Sequence, residues 1–169
     1  MSIGGRFLFR TALVCLVILP AAAFLGFYLP RHEVVRIVGS EVRRIDLDGQ
    51  PGGETRDVFF IYGETLGTQR PRVYRNDDTG WRFPFYFKFN AADLQAVAAA
   101  IATDRGMAVV TRYGWRIQLL SRFPNAVALR RTEDVTEPFP WFNTVFFVAL
   151  FVLALLIWRA VRRWRSRVT

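Results

Sequence analysis

Two long uncharged apolar runs near the ends of the chain constrain its fold most. The first, 11–29, has 19 residues without a charged side chain, and the second, 139–158, has 20. At about 1.5 Å per residue, a helix of the first length spans roughly 28 Å, close to the thickness of a bilayer core. Core helices of soluble proteins rarely stay uncharged over such a length. The two runs therefore predict two transmembrane helices.

The distribution of charge predicts the orientation of these helices. All 14 acidic residues lie within 30–138, together with 16 of the 23 basic residues. The remaining basic residues flank the apolar runs and are Arg6, Arg10, Arg159, Arg162, Arg163, Arg165 and Arg167. Because positively charged flanks stay in the cytoplasm, both termini are predicted to be cytoplasmic. The strong preference for arginine over lysine suggests a GC-rich bacterial genome, so segment 30–138 is expected in the periplasm, outside a bacterial inner membrane.

These patterns divide the chain into five segments. They are a cytoplasmic N-terminus at 1–10, a first transmembrane helix at 11–29, a periplasmic domain at 30–138, a second transmembrane helix at 139–158 and a cytoplasmic arginine-rich amphipathic tail at 159–169. An alternative stays open for the first run, because Ala21-Ala22-Ala23 has the small-x-small form of a signal-peptidase site. The apolar residues continue past this site to Leu29, which favours an uncleaved anchor.

The periplasmic domain is predicted to be α+β, with an antiparallel sheet and one covering helix. Strands are predicted at His32–Ile45, Asp57–Tyr62, Arg72–Arg75, Met107–Ser121 and Ala126–Arg130. Gly39 and Ser40 interrupt the alternation of the first strand and predict a bulge there. The sequence at 48–53, DGQPGG, predicts a turn or loop.

The clearest helix is predicted at Asn90–Asp104. Asn90 occupies its N-cap, and Gly106 follows its end, where a left-handed residue is preferred. The apolar positions that share one face at helical spacing are Leu94, Val97, Ala98 and Ile101. This face is predicted to pack on the sheet.

Five aromatic residues at every second position are the most unusual feature of the domain. They are Trp81, Phe83, Phe85, Phe87 and Phe89. In an extended segment they share one face, which packs either into the core or against a lipid or protein partner. Pro84 favours an edge position, because proline donates no hydrogen bond to a neighbouring strand. We predict that Phe85 and Phe87 are core residues and that Trp81, which follows a turn, is an exposed contact.

No constellation for catalysis can be assembled from the sequence. Asp78-Thr79-Gly80 spells the aspartic-protease triplet, but that chemistry needs two such carboxylates and the chain has one copy. Segment 76–80 fits a turn better, and a calcium site is the remaining alternative. One cysteine and one histidine, His32, exclude metal sites built on several of either. The protein is therefore predicted not to be an enzyme and to have no cofactor or metal.

Residues near the predicted membrane surfaces are the candidate contacts with lipid or a partner. Tryptophan rings prefer the membrane interface, and arginines attract anionic lipid by about 1 kcal/mol each. The candidates are Trp81, Trp141, Trp158, Trp164, Arg162, Arg163 and Arg165. The expected partners are membrane lipids, including anionic lipid at the arginine-rich tail, and other integral membrane proteins. Nucleic acid is not expected, because the domain is predicted to be periplasmic.

Several strings of residues within Pro30–Leu129 carry a family resemblance. They are Pro30–Gly39, Val73–Trp81, Phe85–Phe89, Tyr113–Ile117 and Phe123–Ala126. Together they resemble a bacterial membrane-protein family catalogued as domain of unknown function fifteen-twenty-three. The resemblance implies a bacterial inner-membrane protein, and it carries over no activity, ligand or catalytic residue.

The function expected from these features is that of a non-catalytic accessory or assembly subunit of a bacterial inner-membrane protein complex, with the periplasmic domain as its interaction surface. The alternative is a periplasmic binding or sensing module for a small ligand or a cell-wall fragment. That alternative requires a pocket beside Trp81 or Trp115.

Overall fold

The computed structural model describes residues 3–46 and 55–168. Its helices and strands, in chain order, are α1 (Ile3–Tyr28), β1 (Arg31–Asp46), β2 (Thr55–Thr65), β3 (Pro71–Arg75), α2 (Ala91–Thr103), β4 (Met107–Tyr113), β5 (Asn125–Arg131) and α3 (Trp141–Val168). Residues 1–137 and 138–169 form two compact units. The first unit therefore holds every strand, and α3 belongs to the second. The loop predicted at 48–53 lies outside the described residues.

The strands close into a barrel in the order β1-β2-β3-β5-β4. Four neighbouring pairs are antiparallel, but β3 and β5 are parallel, with Arg75 opposite Asn125. The prediction of a purely antiparallel sheet is therefore wrong. The parallel pair has a geometric reason: five strands in a closed ring cannot all alternate in direction, so at least one adjacent pair must be parallel. The bulge predicted in β1 is present, because its register with β2 shifts between Ile37 and Gly39.

The buried core joins the barrel strands to one face of α2. Its members are Val35, Ile37, Ile61, Tyr74, Leu94, Ala98, Ile101, Ala108, Val110 and Ala126. The predicted apolar face of α2 is right except at Val97, which is 43% exposed. Gln95 is buried instead. A polar side chain is tolerated there because its amide donates to the carbonyls of Glu41 and Phe60, at 3.1 and 3.2 Å.

Both ends of α2 differ from the prediction. Asn90 stands at the N-cap position, but its side chain makes no capping hydrogen bond. The Asp78 carboxylate accepts the Ala91 N–H at 2.9 Å instead. At the other end, the left-handed residue is Arg105, with φ 52°, and not Gly106. The N-terminal cap therefore comes from a loop distant in sequence, which local patterns do not reveal.

β4 is much shorter than the strand predicted at Met107–Ser121. It ends at Tyr113, and Gly114 then adopts a φ of +87° that breaks the extended path. The N–H of Gly114 donates to the Phe27 carbonyl of α1 at 2.7 Å. The alternation beyond this point is not that of a strand, since Leu119 is 94% exposed. A contact with α1 therefore ends the strand.

The terminal helices have different bounds from the predicted spans. α1 begins at Ile3 rather than at residue 11. α3 runs without a break to Val168, so the predicted span at 139–158 and tail at 159–169 share one helix. By length and composition, Trp141–Ser166 is the one candidate membrane span in the described part of the chain, with a mean hydropathy of 2.5. Val14–Tyr28, within α1, is a shorter apolar stretch. The two-span arrangement stays a prediction.

Candidate functional site

The five alternating aromatic residues form an exposed cluster, which we call the aromatic patch. Its members are Trp81, Phe83, Phe85, Phe87 and Phe89, and every one is at least 51% exposed. Their rings touch one another along the segment, with the Trp81 centroid 5.6 Å from Phe87 and 5.4 Å from Phe89. The prediction that Phe85 and Phe87 are core residues is wrong, and the predicted exposure of Trp81 is confirmed.

The patch stays outside the core for two structural reasons. Phe87 has a φ of 50°, in the left-handed region, so the segment is not a continuous strand. The Lys88 side chain also points inward, where its Nζ donates to Asn76 Oδ1. Two of the alternate residues face the protein: Lys88 is only 4% exposed, and Tyr86 is half-buried. Around these two residues the predicted alternation is present with its direction reversed.

A buried polar cluster holds the patch from beneath. Asn76, which is 0% exposed, donates from Nδ2 to the Ala91 carbonyl at 2.8 Å and to the Gln95 amide oxygen at 3.1 Å. Its Oδ1 accepts a hydrogen bond from Lys88 Nζ at 2.5 Å. Lys88 Nζ also donates to the Asp77 carbonyl at 3.1 Å. These bonds fix the backbone on which the aromatic side chains stand.

The two adjacent aspartates of segment 76–80 are both used structurally. Asp77 pairs with Arg75 at 2.5 Å, and Asp78 caps α2. Across the described ranges, no group of three or more His, Cys, Asp or Glu side chains is placed to hold a metal ion. The segment predicted as a turn therefore also serves as a brace between β3 and α2.

Burial lowers the pKa of Lys88 to about 8. Loss of hydration disfavours its charged form, and the negative charges of Asp78 and Asp77 oppose this effect only in part. At neutral pH the charged ammonium of Lys88 is therefore held in the buried polar cluster, which lowers the free energy of unfolding.

The C-terminal end of α1 is fastened to the barrel through its last carbonyls. Gly26 accepts from Trp115 Nε1 at 3.0 Å, Phe27 accepts from Gly114 N–H, and Tyr28 accepts from the Tyr86 hydroxyl at 2.5 Å. Such carbonyls have no partner within a helix. The barrel supplies partners for three of them, which gives a rigid joint rather than a flexible tether.

The aromatic patch begins at this joint. The Phe83 ring lies 5.8 Å from Phe24 and 4.6 Å from Tyr28, measured between centroids. Phe24 is itself 51% exposed. The apolar surface of α1 therefore continues directly into the patch.

A cleft of about 410 Å³ opens on the barrel beside Trp115, within the size range of small-ligand pockets. Among the residues that the structure describes, four arginines and a single acidic residue, Glu33, line this cleft, which we call the arginine cleft. The arginines are Arg31, Arg72, Arg112 and Arg116. Four arginines against one glutamate leave three positive charges in excess.

Glu33 is committed to a hydrogen-bonded group at the base of this cleft. It pairs with Arg112, and the Tyr74 hydroxyl donates to it at 2.7 Å. Burial alone would raise the pKa of Glu33, but the hydrogen bonds from Arg112 and Tyr74 outweigh it and hold the pKa below its usual value. Burial and the Glu33 charge raise the pKa of Tyr74. Glu33 therefore remains ionised and pairs with Arg112, and its charge also acts on the Arg72 guanidinium.

The other predicted contacts lie on α3. The Trp141, Trp158 and Trp164 side chains are all more than half exposed. The Arg162 guanidinium lies 5.5 Å from the centroid of the Trp158 ring. Residues around this contact line a groove on the helix: Trp158, Arg159, Arg162, Arg163 and Ser166. Arg165 also lies on α3, and contact of these side chains with lipid or protein stays a prediction.

His32 and the arginine cleft show what the sequence did and did not reveal. His32 is half-buried, with Nδ1 3.0 Å from the Thr111 hydroxyl oxygen, which is a structural role. The cleft was missed, because its arginines are scattered between residues 31 and 116 and no local spacing joins them. Only the possibility of a pocket beside Trp115 could be stated in advance.

The fold and these surfaces define a small mixed β-barrel that carries an aromatic patch, an arginine cleft and one candidate membrane helix. The chain belongs to the family described as "Protein of unknown function (DUF1523)", whose model matches residues 7–165. An uncharacterized protein of Haemophilus influenzae is 36% identical over 146 residues, which are 82% of this chain and 83% of that relative. No solved structure matches the chain at a significant level. The family identified by resemblance is thus confirmed.

Proposed function

We propose that this protein is a non-catalytic accessory or assembly subunit of a bacterial inner-membrane complex. The observation that carries the proposal is the aromatic patch, whose apolar surface is continuous with α1. Contiguous exposed apolar patches mark interaction sites, and aromatic residues dominate the energy of protein interfaces. The occupant we assign to the patch is the apolar surface of another integral membrane protein, next to the membrane.

The rigidity of the patch favours a protein partner over lipid. The hydrogen bonds of Asn76 and Lys88 fix its backbone, and the ring contacts fix its side chains relative to one another. A surface that is ordered before binding loses less entropy when it docks on a partner of fixed shape. Immersion in lipid places no such demand on relative ring positions.

The proposed topology has α1 and α3 in the inner membrane, the barrel in the periplasm and both termini in the cytoplasm. The uncharged run of α1, the length of α3 and the arginine-only flanks support it. In this arrangement the arginines of α3 meet anionic lipid on the cytoplasmic face.

Photo-crosslinking in native membranes tests the proposal. A benzophenone amino acid in place of Trp81 or Phe85 is expected to give a discrete adduct with another membrane protein. Val42 is the matched control, because it is apolar and 51% exposed but lies towards the far end of β1. Adducts with lipid only, or the same adducts from position 42, would refute the assignment of a protein partner.

A second function, a periplasmic binding or sensing module for a small ligand, is favoured by one specific observation. The pocket it requires beside Trp115 is present as the arginine cleft. This cleft and the aromatic patch share no residue. One protein can therefore carry both functions, and each can be tested alone.

A further inference from the structure

We infer that the arginine cleft is a binding site for a phosphate group, carried by a lipid headgroup or by a soluble phosphate ester. The inference rests on the second proposed function, the binding module, and names the class of its ligand. It depends on three properties of the cleft: its excess of positive charge, its fixed geometry and its place beside the end of α1.

The arginines of the cleft outnumber its carboxylates by three among the described residues that line it. Arg31, Arg72 and Arg116 take part in none of the ion pairs found within 3–46 and 55–168. Arg31 donates to the Gly26 carbonyl at 3.2 Å and Arg116 to the Arg122 carbonyl at 3.0 Å. These acceptors are neutral. They orient the guanidinium groups and leave their positive charge available to an anion.

Arg112 adds a polar group that lacks a partner. Its terminal nitrogens donate to Glu33 and to the Gly114 carbonyl, but its Nε–H is buried and donates to no acceptor among the residues that the structure describes. Buried donors are normally satisfied, and one that is left over calls for an explanation such as a ligand site. A phosphate oxygen in the cleft is an acceptor of the right kind.

The geometry of the cleft is ordered in advance of binding. The Arg116 guanidinium lies 4.0 Å from the centroid of the Phe123 ring, a close cation–π contact. Trp115 is tied by its indole N–H to α1, and Arg112 is held by Glu33. Guanidinium groups match phosphate oxygens by paired hydrogen bonds, which makes arginine the preferred side chain for this anion.

The position of the cleft links it to the membrane surface. Arg31 follows α1 almost directly, and Trp115 contacts its last turn. With α1 in the membrane, one side of the cleft lies at the level of the lipid phosphates. A lipid headgroup and a soluble phosphate ester in the periplasm are then the two sources of the same chemical group.

The test uses the full-length protein in two settings. In neutral detergent, binding of inorganic phosphate and of glycerol phosphate is followed by phosphorus NMR. In nanodiscs, retention of phosphatidylglycerol over phosphatidylcholine is measured by lipid mass spectrometry. The variants are Arg72→Gln in the cleft and, as matched control, Arg70→Gln, an exposed arginine of the preceding turn that does not line the cleft.

We expect Arg72→Gln to weaken binding about tenfold or more, since the variant loses the charged hydrogen bonds that a guanidinium group makes to phosphate oxygens. Arg70→Gln should change it less than about twofold. If Arg72→Gln weakens binding of the soluble phosphates, the ligand is a phosphate ester. If it abolishes only the selection of phosphatidylglycerol, the ligand is a lipid headgroup. Absence of binding in both settings, or equal effects of the two variants, would overturn the inference. A Trp81→Ala variant should bind normally, so failure of this inference and failure of the patch proposal are distinguishable.

Discussion

The barrel should become more stable as the pH rises above neutrality, because folding forces Lys88 into a buried site. The side chain is 4% exposed, and its pKa falls from the ordinary 10.5 to about 8. Between these two values the unfolded chain binds a proton at this position that the folded chain does not. Stability therefore rises with pH through this window, and the full penalty applies below about pH 8.

The expected effect is large enough to measure. A pKa lowered from 10.5 to about 8 corresponds to about 3 kcal/mol over the whole window. Between pH 7.5 and pH 9.5 the expected gain in the free energy of unfolding is about 2 kcal/mol. Higher pH is avoided, because burial raises the pKa of Tyr74 and Tyr86, and ionisation of tyrosines in the unfolded chain then opposes the gain.

The assay is denaturant unfolding of the full-length protein in neutral detergent at several pH values in this range. The control is Lys88→Met, which removes the titrating group and keeps a long side chain. The substitution removes the hydrogen bonds to Asn76 and Asp77 and also removes the cost of a buried charge, so its net effect at neutral pH depends on the balance of the two. The free energy of unfolding of the variant should vary less with pH than that of the original protein. The same pH dependence in both proteins would refute the reasoning.

Three further predictions concern the cap of α2, the exposure of the aromatic patch and the membrane topology. Asp78→Ala should cost about 1 kcal/mol of stability by removing the cap of α2, whereas Asn90→Ala should change stability by less than about 0.5 kcal/mol in the same unfolding assay. Phe87→Ala should lower stability by less than about 1 kcal/mol, and Leu94→Ala by about 2–5 kcal/mol, so equal losses would return Phe87 to the core. Reporter fusions after Arg44 and after the last residue of α3 should report the periplasm and the cytoplasm respectively, and the same side for both would contradict the topology.

Local patterns in the sequence were enough for most strands and for α2. β1 and its bulge were predicted because apolar and polar residues alternate, with a break at Gly39. Leu94, Ala98 and Ile101 were placed on one buried face because their spacing matches the helical period. These features depend on residues that are neighbours in the chain, so the sequence alone determines them.

The direction in which the aromatic patch faces was decided by tertiary structure. The alternation of aromatic residues in the sequence shows that the members of the aromatic patch share one side of the segment, but it does not show which side is buried. The left-handed conformation of Phe87 interrupts any strand in this segment, and the buried polar cluster holds Lys88 inward, so the aromatic rings face outward. The parallel contact of β3 with β5 is also decided by tertiary structure, since it follows from closing a ring of five strands.

The arginine cleft depends on the tertiary structure even more completely. Arg31, Arg72, Arg112 and Arg116 come from β1, β3, β4 and the segment after β4, and no spacing in the sequence joins them. A charge acts over distance in space, so an excess of positive charge exists only where the fold brings such side chains together without matching carboxylates. The sequence determined which segments are apolar and where the charges stand along the chain. The fold decided which of those charges meet, because pairing of strands distant in sequence sets the positions of their side chains.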